Sequence, residues 1–169
     1  MAIEETEFMK RIFRAVVMAL LLAPGMLWAD DYDDGLDAYI ARDYETAYEL
    51  WLPFAAQGDA KAQVGVALMY SLGQGVAQDY AEAARWYRAA AEQGNALAQS
   101  NLGLKYANGE GVIQDYSTAH MWFNIVARDG YSDAVKNRDA IADRMTPEAI
   151  AESQRRARIC LESDYQDCD

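Results

Sequence analysis

The chain is poor in the side chains on which most active sites depend. Among its 169 residues there is one histidine, His120, and there are two cysteines, Cys160 and Cys168. A lone histidine without a nearby cysteine ligand argues against zinc sites of the common types, which need several nitrogen and sulfur ligands. Positive charge is also scarce: 15 lysines and arginines stand against 27 aspartates and glutamates, a net charge of −12. That balance repels nucleic-acid phosphates and anionic membrane surfaces, so neither is an expected partner. Long apolar runs are missing as well. The longest extends from Ala15 to Leu22 and then, past Pro24 and Gly25, through Met26 and Leu27 to Ala29. It is broken by a proline and is shorter than the roughly 20 apolar residues that a membrane-spanning helix needs.

That interrupted run follows Lys10, Arg11 and Arg14. Basic residues, a short apolar core, a helix-breaking pair and a small residue are the layout of a secretory signal, predicted over residues 1–29 with cleavage after Ala29. An uncleaved anchor and a buried helix are the alternatives. Glu4, Glu5 and Glu7 do not suit a basic leader, whereas a start at Met9 reads directly into Lys10 and Arg11; Met9 is the expected true start. The segment carries three acids and three bases, so the mature chain keeps the whole −12. No cysteine follows the apolar core, and no lipid attachment or stable membrane insertion is expected after cleavage. The predicted destination is the periplasm or the exterior. In such an oxidising compartment Cys160 and Cys168 can form a disulfide that clips the tail to the last helix; two free thiols are the other reading.

Two further motifs lose their apparent chemistry on inspection. Asp30, Asp31, Asp33, Asp34 and Gly35 resemble the start of a calcium loop, but an EF-hand counted from Asp31 needs glutamate where Arg42 stands. The cluster reads as a solvated acidic N-terminus. The Gly-x-Gly pairs at Gly73 and Gly75 and at Gly109 and Gly111 lack the lysine of a phosphate loop and read as turns. No cofactor or metal is predicted.

What the chain does have is repetition. Gly58, Gly94 and Gly130 recur at one interval, and so do Asp43-Tyr44, Asp79-Tyr80 and Asp115-Tyr116, the alanines Ala47, Ala83 and Ala119, and the pair Trp86 and Trp122. Within a unit the apolar spacing is helical. Ala98, Leu102 and Tyr106 share one face of a first helix, and Gly103 beside them leaves room for a neighbouring backbone. Gly109 and Gly111 stop that helix, Asp115 caps the next, and Ala119, Trp122 and Val126 line its buried side. One such hairpin cannot cover its own apolar stripe; stacking the next one on it does. The predicted fold is therefore all-α, a right-handed α/α solenoid of antiparallel helix pairs. Its parts are a shortened hairpin over 35–58, repeats over 59–94 and 95–130, a partial repeat and cap over 131–162, and an acidic tail over 163–169. In the hairpin, Arg42-Asp43 turns the chain and Tyr44 to Ala56 forms a helix that Pro53 bends or restricts in its hydrogen bonding. The cap starts at Thr146-Pro147-Glu148, a strong helix-initiating sequence.

Ala96-Leu97-Ala98-Gln99 through Trp122, and the preceding unit from Ala60 to Gly94 that closes in Ala-Ala-Glu-Gln-Gly, resemble the Sel-one-like repeat family. This resemblance implies a curved, tetratricopeptide-like solenoid that binds other proteins. It implies a concave groove lined by the positions of the first helices that packing leaves free. Carried onto this sequence, those are Lys61, Val64 and Leu68 in one repeat and Leu97, Asn101, Leu104, Lys105 and Asn108 in the next, with Asn101 the foremost. The predicted function is a non-catalytic adaptor of the periplasm or cell envelope that holds a protein or peptide and is itself monomeric. A structural spacer would instead form a constitutive oligomer. A β-lactamase-like enzyme is a third reading, drawn from cysteine-rich relatives with a cysteine pair in each repeat, and this chain has none there. The fixed aromatics Trp86, Tyr87, Trp122 and Phe123 read as packing, and Arg155, Arg156 and Arg158 as cations facing the end of a helix dipole.

Overall fold

The computed structural model describes residues 28–168. The predicted leader lies outside the described residues, except that Trp28 and Ala29 open the first helix. The described residues form eight α-helices and no strand: α1 (Trp28–Ile40), α2 (Tyr44–Ala56), α3 (Ala60–Leu72), α4 (Tyr80–Ala91), α5 (Ala96–Asn108), α6 (Tyr116–Ala127), α7 (Ser132–Ala142) and α8 (Pro147–Glu162). Each helix from α1 to α7 packs on its neighbours in sequence, which makes an α/α solenoid of A helices (α1, α3, α5, α7) and B helices (α2, α4, α6).

The recurring residues are the parts of one joint used again and again. Asp43, Asp79 and Asp115 cap the B helices by accepting backbone N–H bonds from the first turn, and Asp59 and Asn95 do the same for α3 and α5. Such a cap contributes about 1 kcal/mol. Gly73 and Gly109 end α3 and α5 in the left-handed conformation. The buried amides of Gln63 and Gln99 donate to the carbonyls of Ala55 and Ala91, tying each A helix to the end of the preceding B helix. Ala47, Ala83 and Ala119 are fully buried. Gly103 lies so close to Phe123 that a Cβ there would stand 2.8 Å from the ring.

α1 begins well before the hairpin expected from residue 35, and the acidic stretch is part of this helix, with Asp33 and Asp34 exposed to solvent. Tyr32, Gly35 and Tyr39 share one helix face, which packs on Trp51. Tyr32 stacks on the indole at 5.7 Å between centroids, its carbonyl accepts from Trp51 Nε1, and a Cβ at Gly35 would meet that same ring atom. Acidic residues tolerate this arrangement because they occupy the other face, where Asp33 and Asp34 are exposed.

At the other end, α8 covers the flank of the solenoid by packing on α6. His120 of α6, 2% exposed, is joined to the fully buried Ser153 of α8 by a 2.7 Å hydrogen bond at Nδ1. Because the Ser153 hydroxyl donates to the Ile150 carbonyl, His120 holds its proton on Nδ1 and donates it. Burial, aided by the positive charge of Arg138 and opposed by Asp139, pushes the His120 pKa down. A histidine depressed in the folded state contributes stability that is complete above its ordinary value of about 6.5 and is lost as pH falls from there through the folded value. Urea titrations should therefore find the chain less stable at pH 5 than at pH 7.5, with a smaller difference in His120→Gln. An equal difference in both proteins would show that His120 is not the group responsible.

Candidate functional site

A groove of about 670 Å³ opens between α5 and α7, two A helices that share no extensive contact. Their separation follows from the joint described above: each A helix packs on the B helices beside it, so successive A helices meet little and leave a furrow. Leu97, Ser100, Asn101 and Leu104 form one wall; Asp133, Lys136 and Asn137 face them from α7, with Tyr131 at its N-terminus. The charges within it are balanced, since Lys136 Nζ lies 3.1 Å from Asp133.

Of the residues expected to line a groove, the structure brings Leu97, Asn101 and Leu104 together here. Leu97 is 60% exposed. Asn101 Nδ2 donates to the Leu97 carbonyl one turn back at 2.9 Å, which leaves its Oδ1 and its second N–H for another molecule. Asn108, near the end of α5, is exposed and donates to Glu110. Lys61, Val64 and Leu68 lie on α3, one repeat away from this groove: Lys61 is exposed, with Nζ 5.9 Å from the Tyr32 ring centroid, while Val64 and Leu68 are half-buried.

Lys105 does not face this groove. Its side chain is 9% exposed, held 2.8 Å from Glu110 and 4.4 Å from the Tyr80 ring centroid. The physical reason is its place in the repeat: it is the tenth residue of an A helix, where α3 has the buried Met69 and α7 the buried Ile141. The ammonium draws the Glu110 carboxyl below its usual range, first through the hydrogen bond and then through its charge. Removing one partner of an ion pair is costly when the other charge stays buried, but the Glu110 side chain is 36% exposed and can turn to water once Lys105 is gone. Lys105→Met, which keeps the packed stem, should therefore hold stability within about 1 kcal/mol of the parent. Lys105→Ala, which also empties space, should lose about 2 kcal/mol. Equal losses in denaturant titrations of the two variants would contradict this account.

The sequence reading missed Asn137. One repeat upstream the position of Asn101 is Gly65, and one repeat downstream it is Asn137. Asn101 and Asn137 are each the sixth residue of their helices, and both line the groove. The signal was the repeat interval itself, obscured because α7 lacks the glycine loop that marks the other units. Among the described residues no cluster of histidine, cysteine or carboxylate side chains could hold a metal ion, and no helix is long and apolar enough to cross a membrane.

Comparison with known proteins points one way. No curated protein matches the chain in sequence. Among solved structures it is similar to a protective antigen of uropathogenic Escherichia coli that displays an SLR fold, with 26% identity over 80% of this chain and 31% of that one and a TM-score of 0.75. It is also similar to a Sel1 repeat protein from Oxalobacter formigenes, with 36% identity over 63% of this chain and 42% of that one and a TM-score of 0.59. The chain thus spans less than half the length of either. The model of the Sel1 repeat matches residues 27–59, 60–95 and 96–131, and the first of these takes in the shortened hairpin. With three matched repeats covering well over half its length and a fold shared with other Sel1 repeat proteins, the chain belongs to the Sel1 repeat family.

Proposed function

We propose that this chain is a non-catalytic adaptor of the bacterial periplasm or cell envelope that holds an extended segment of a partner protein between α5 and α7. Sel1 repeat proteins generally mediate protein–protein interaction, which supports the class of activity. The observation that carries the reading is the pairing of Asn101 and Asn137 at one repeat position on opposite walls of a furrow, with Leu97 and Leu104 beside them. An asparagine amide both donates and accepts, so two of them facing across a groove suit the alternating N–H and C=O groups of an extended backbone. The leucines supply apolar contact. The interrupted basic-apolar leader supports export.

Crosslinking in cells, followed by purification and identification of what is attached, tests the reading when parent and variant are run side by side. Asn101→Ala/Leu104→Ala should retain the parent's far-UV circular dichroism and lose the crosslinked partner, with an affinity at least about tenfold weaker in a purified assay, or 1.4 kcal/mol. An unchanged partner set would place binding elsewhere on the molecule.

A further inference from the structure

We propose that the partner segment is cationic, with apolar residues that meet a row of leucines on the A helices and basic residues that meet the first repeat. This rests on the groove reading above and adds the chemistry of the partner.

The apolar half of the argument comes from register. α1, α3 and α5 are each 13 residues long. The ninth residue is leucine in all three, Leu36, Leu68 and Leu104; the last is Ile40 in α1 and Leu72 in α3. Equivalent positions of stacked A helices fall in line across the solenoid. Ile40 is 70% exposed and Leu72 52%, with Leu36 and Leu104 just over one third. Single exposed apolar side chains are ordinary, but a row at fixed repeat positions marks a surface that something covers.

The electrostatic half says what covers it. Residues 28–59 contain nine aspartates and glutamates and one arginine, so the first repeat carries −8 of the chain's net −12. In the later repeats several acids have a neighbour of opposite sign, among them Glu82 with Arg85, Glu110 with Lys105, Asp139 with Arg138 and Glu152 with Arg155. Asp33, Asp34 and Asp37, which flank Leu36 on α1, are exposed and have no ion-pair partner among the described residues. An uncompensated field of one sign costs stability through self-repulsion and raises the association rate of oppositely charged molecules. A bare cation would leave the leucines uncovered, and an acidic partner would be repelled. A segment with both basic and apolar residues satisfies both features.

Two synthetic peptides with identical leucine positions, one with lysine and one with glutamate at every polar position, test this by calorimetric titration of the protein. The lysine peptide should bind at least about tenfold tighter, and the difference should shrink at about 0.5 M salt, where the Debye length is only a few ångströms. Asp33→Asn/Asp34→Asn/Asp37→Asn should remove most of that preference with helicity intact, and Leu36→Ser/Leu72→Ser should weaken the lysine peptide severalfold. Equal affinities, preference for glutamate, no binding of the lysine peptide, or binding indifferent to the three aspartates would each overturn the proposal. So would self-association in sedimentation that depends on the same leucines, since a second copy would then be the occupant. A glutamate peptide that binds and is released by Asn101→Ala/Leu104→Ala would overturn the cationic partner while leaving the groove reading in place. Loss of the natural partner's dependence on Asn101 and Leu104 would instead remove the groove reading.

Discussion

Gly111→Ala is expected to be among the most destabilising single substitutions outside the aromatic core, with a loss of about 3 kcal/mol. Two costs combine. The residue sits at φ +74°, where a side chain is strained, and a Cβ there would lie 2.1 Å from the Tyr80 carbonyl oxygen and 2.2 Å from its carbon. Those are backbone atoms at the start of α4, so no rotamer change relieves the overlap; the loop and the B helix of the preceding repeat must separate. Gly75 meets the Tyr44 carbonyl in the same way one repeat earlier. Gly130 makes the control. Its φ is +85°, yet nothing lies within 4 Å of the Cβ position, so Gly130→Ala should cost only the backbone term, about 1 kcal/mol. Denaturant titrations should show the two midpoints well apart, with a thermal shift on the order of 10 °C for Gly111→Ala. Equal losses at the two glycines would mean that the close approach between repeats contributes nothing.

This contrast also explains why so much of the fold was legible in the sequence. A residue that makes the same contact in successive repeats is seen more than once, and each appearance checks the others. The helix pairs, the aspartate caps, the glycine turns and the start of α8 at Pro147 could all be placed because a periodic pattern or a strong local signal marked them. Leu97, Asn101 and Leu104 came instead from the resemblance to Sel-one-like repeats, and all three line the furrow between α5 and α7.

What escaped the sequence was what the repeat does not repeat. Lys105 was placed in the groove by the family resemblance; only the comparison of its position with Met69 and Ile141 reveals a buried site, and that comparison needs the register of α7. Asn137 was hidden for the same reason. α1 was cut short because its aspartates outweighed the spacing of Tyr32, Gly35 and Tyr39, which was the better guide. The buried contact between His120 and Ser153 joins helices whose packing no local pattern encodes, so nothing in the spacing around His120 announced its partner on α8.

The second large effect concerns the tail, where two readings of the cysteines were open and the structure joins them. After α8 the chain turns back through Asp164 and Tyr165, both at positive φ, with the Tyr165 N–H donating to the Cys160 carbonyl. Cys168 is thereby brought to a Cα separation of 4.4 Å from Cys160, and the two form a disulfide. Both sulfurs join the apolar cluster that includes Tyr87, Met121, Trp122 and Ile125, and the Tyr165 ring lies against Gly94, at the junction of the second and third repeats. The clip thus fastens α8 to two repeats at once. Closing a loop of this length lowers the entropy of the unfolded chain by an amount worth about 2.5 kcal/mol. Cys160→Ala and Cys168→Ala should each lower the melting temperature by roughly 5 to 10 °C. Because either change abolishes the same bond, the double variant should lose much less than the sum of the two. Reductant should lower the parent's melting temperature and leave both variants unmoved. A parent indifferent to reductant that has been shown by thiol labelling to open the bond would mean that packing, and not the crosslink, holds α8 in place.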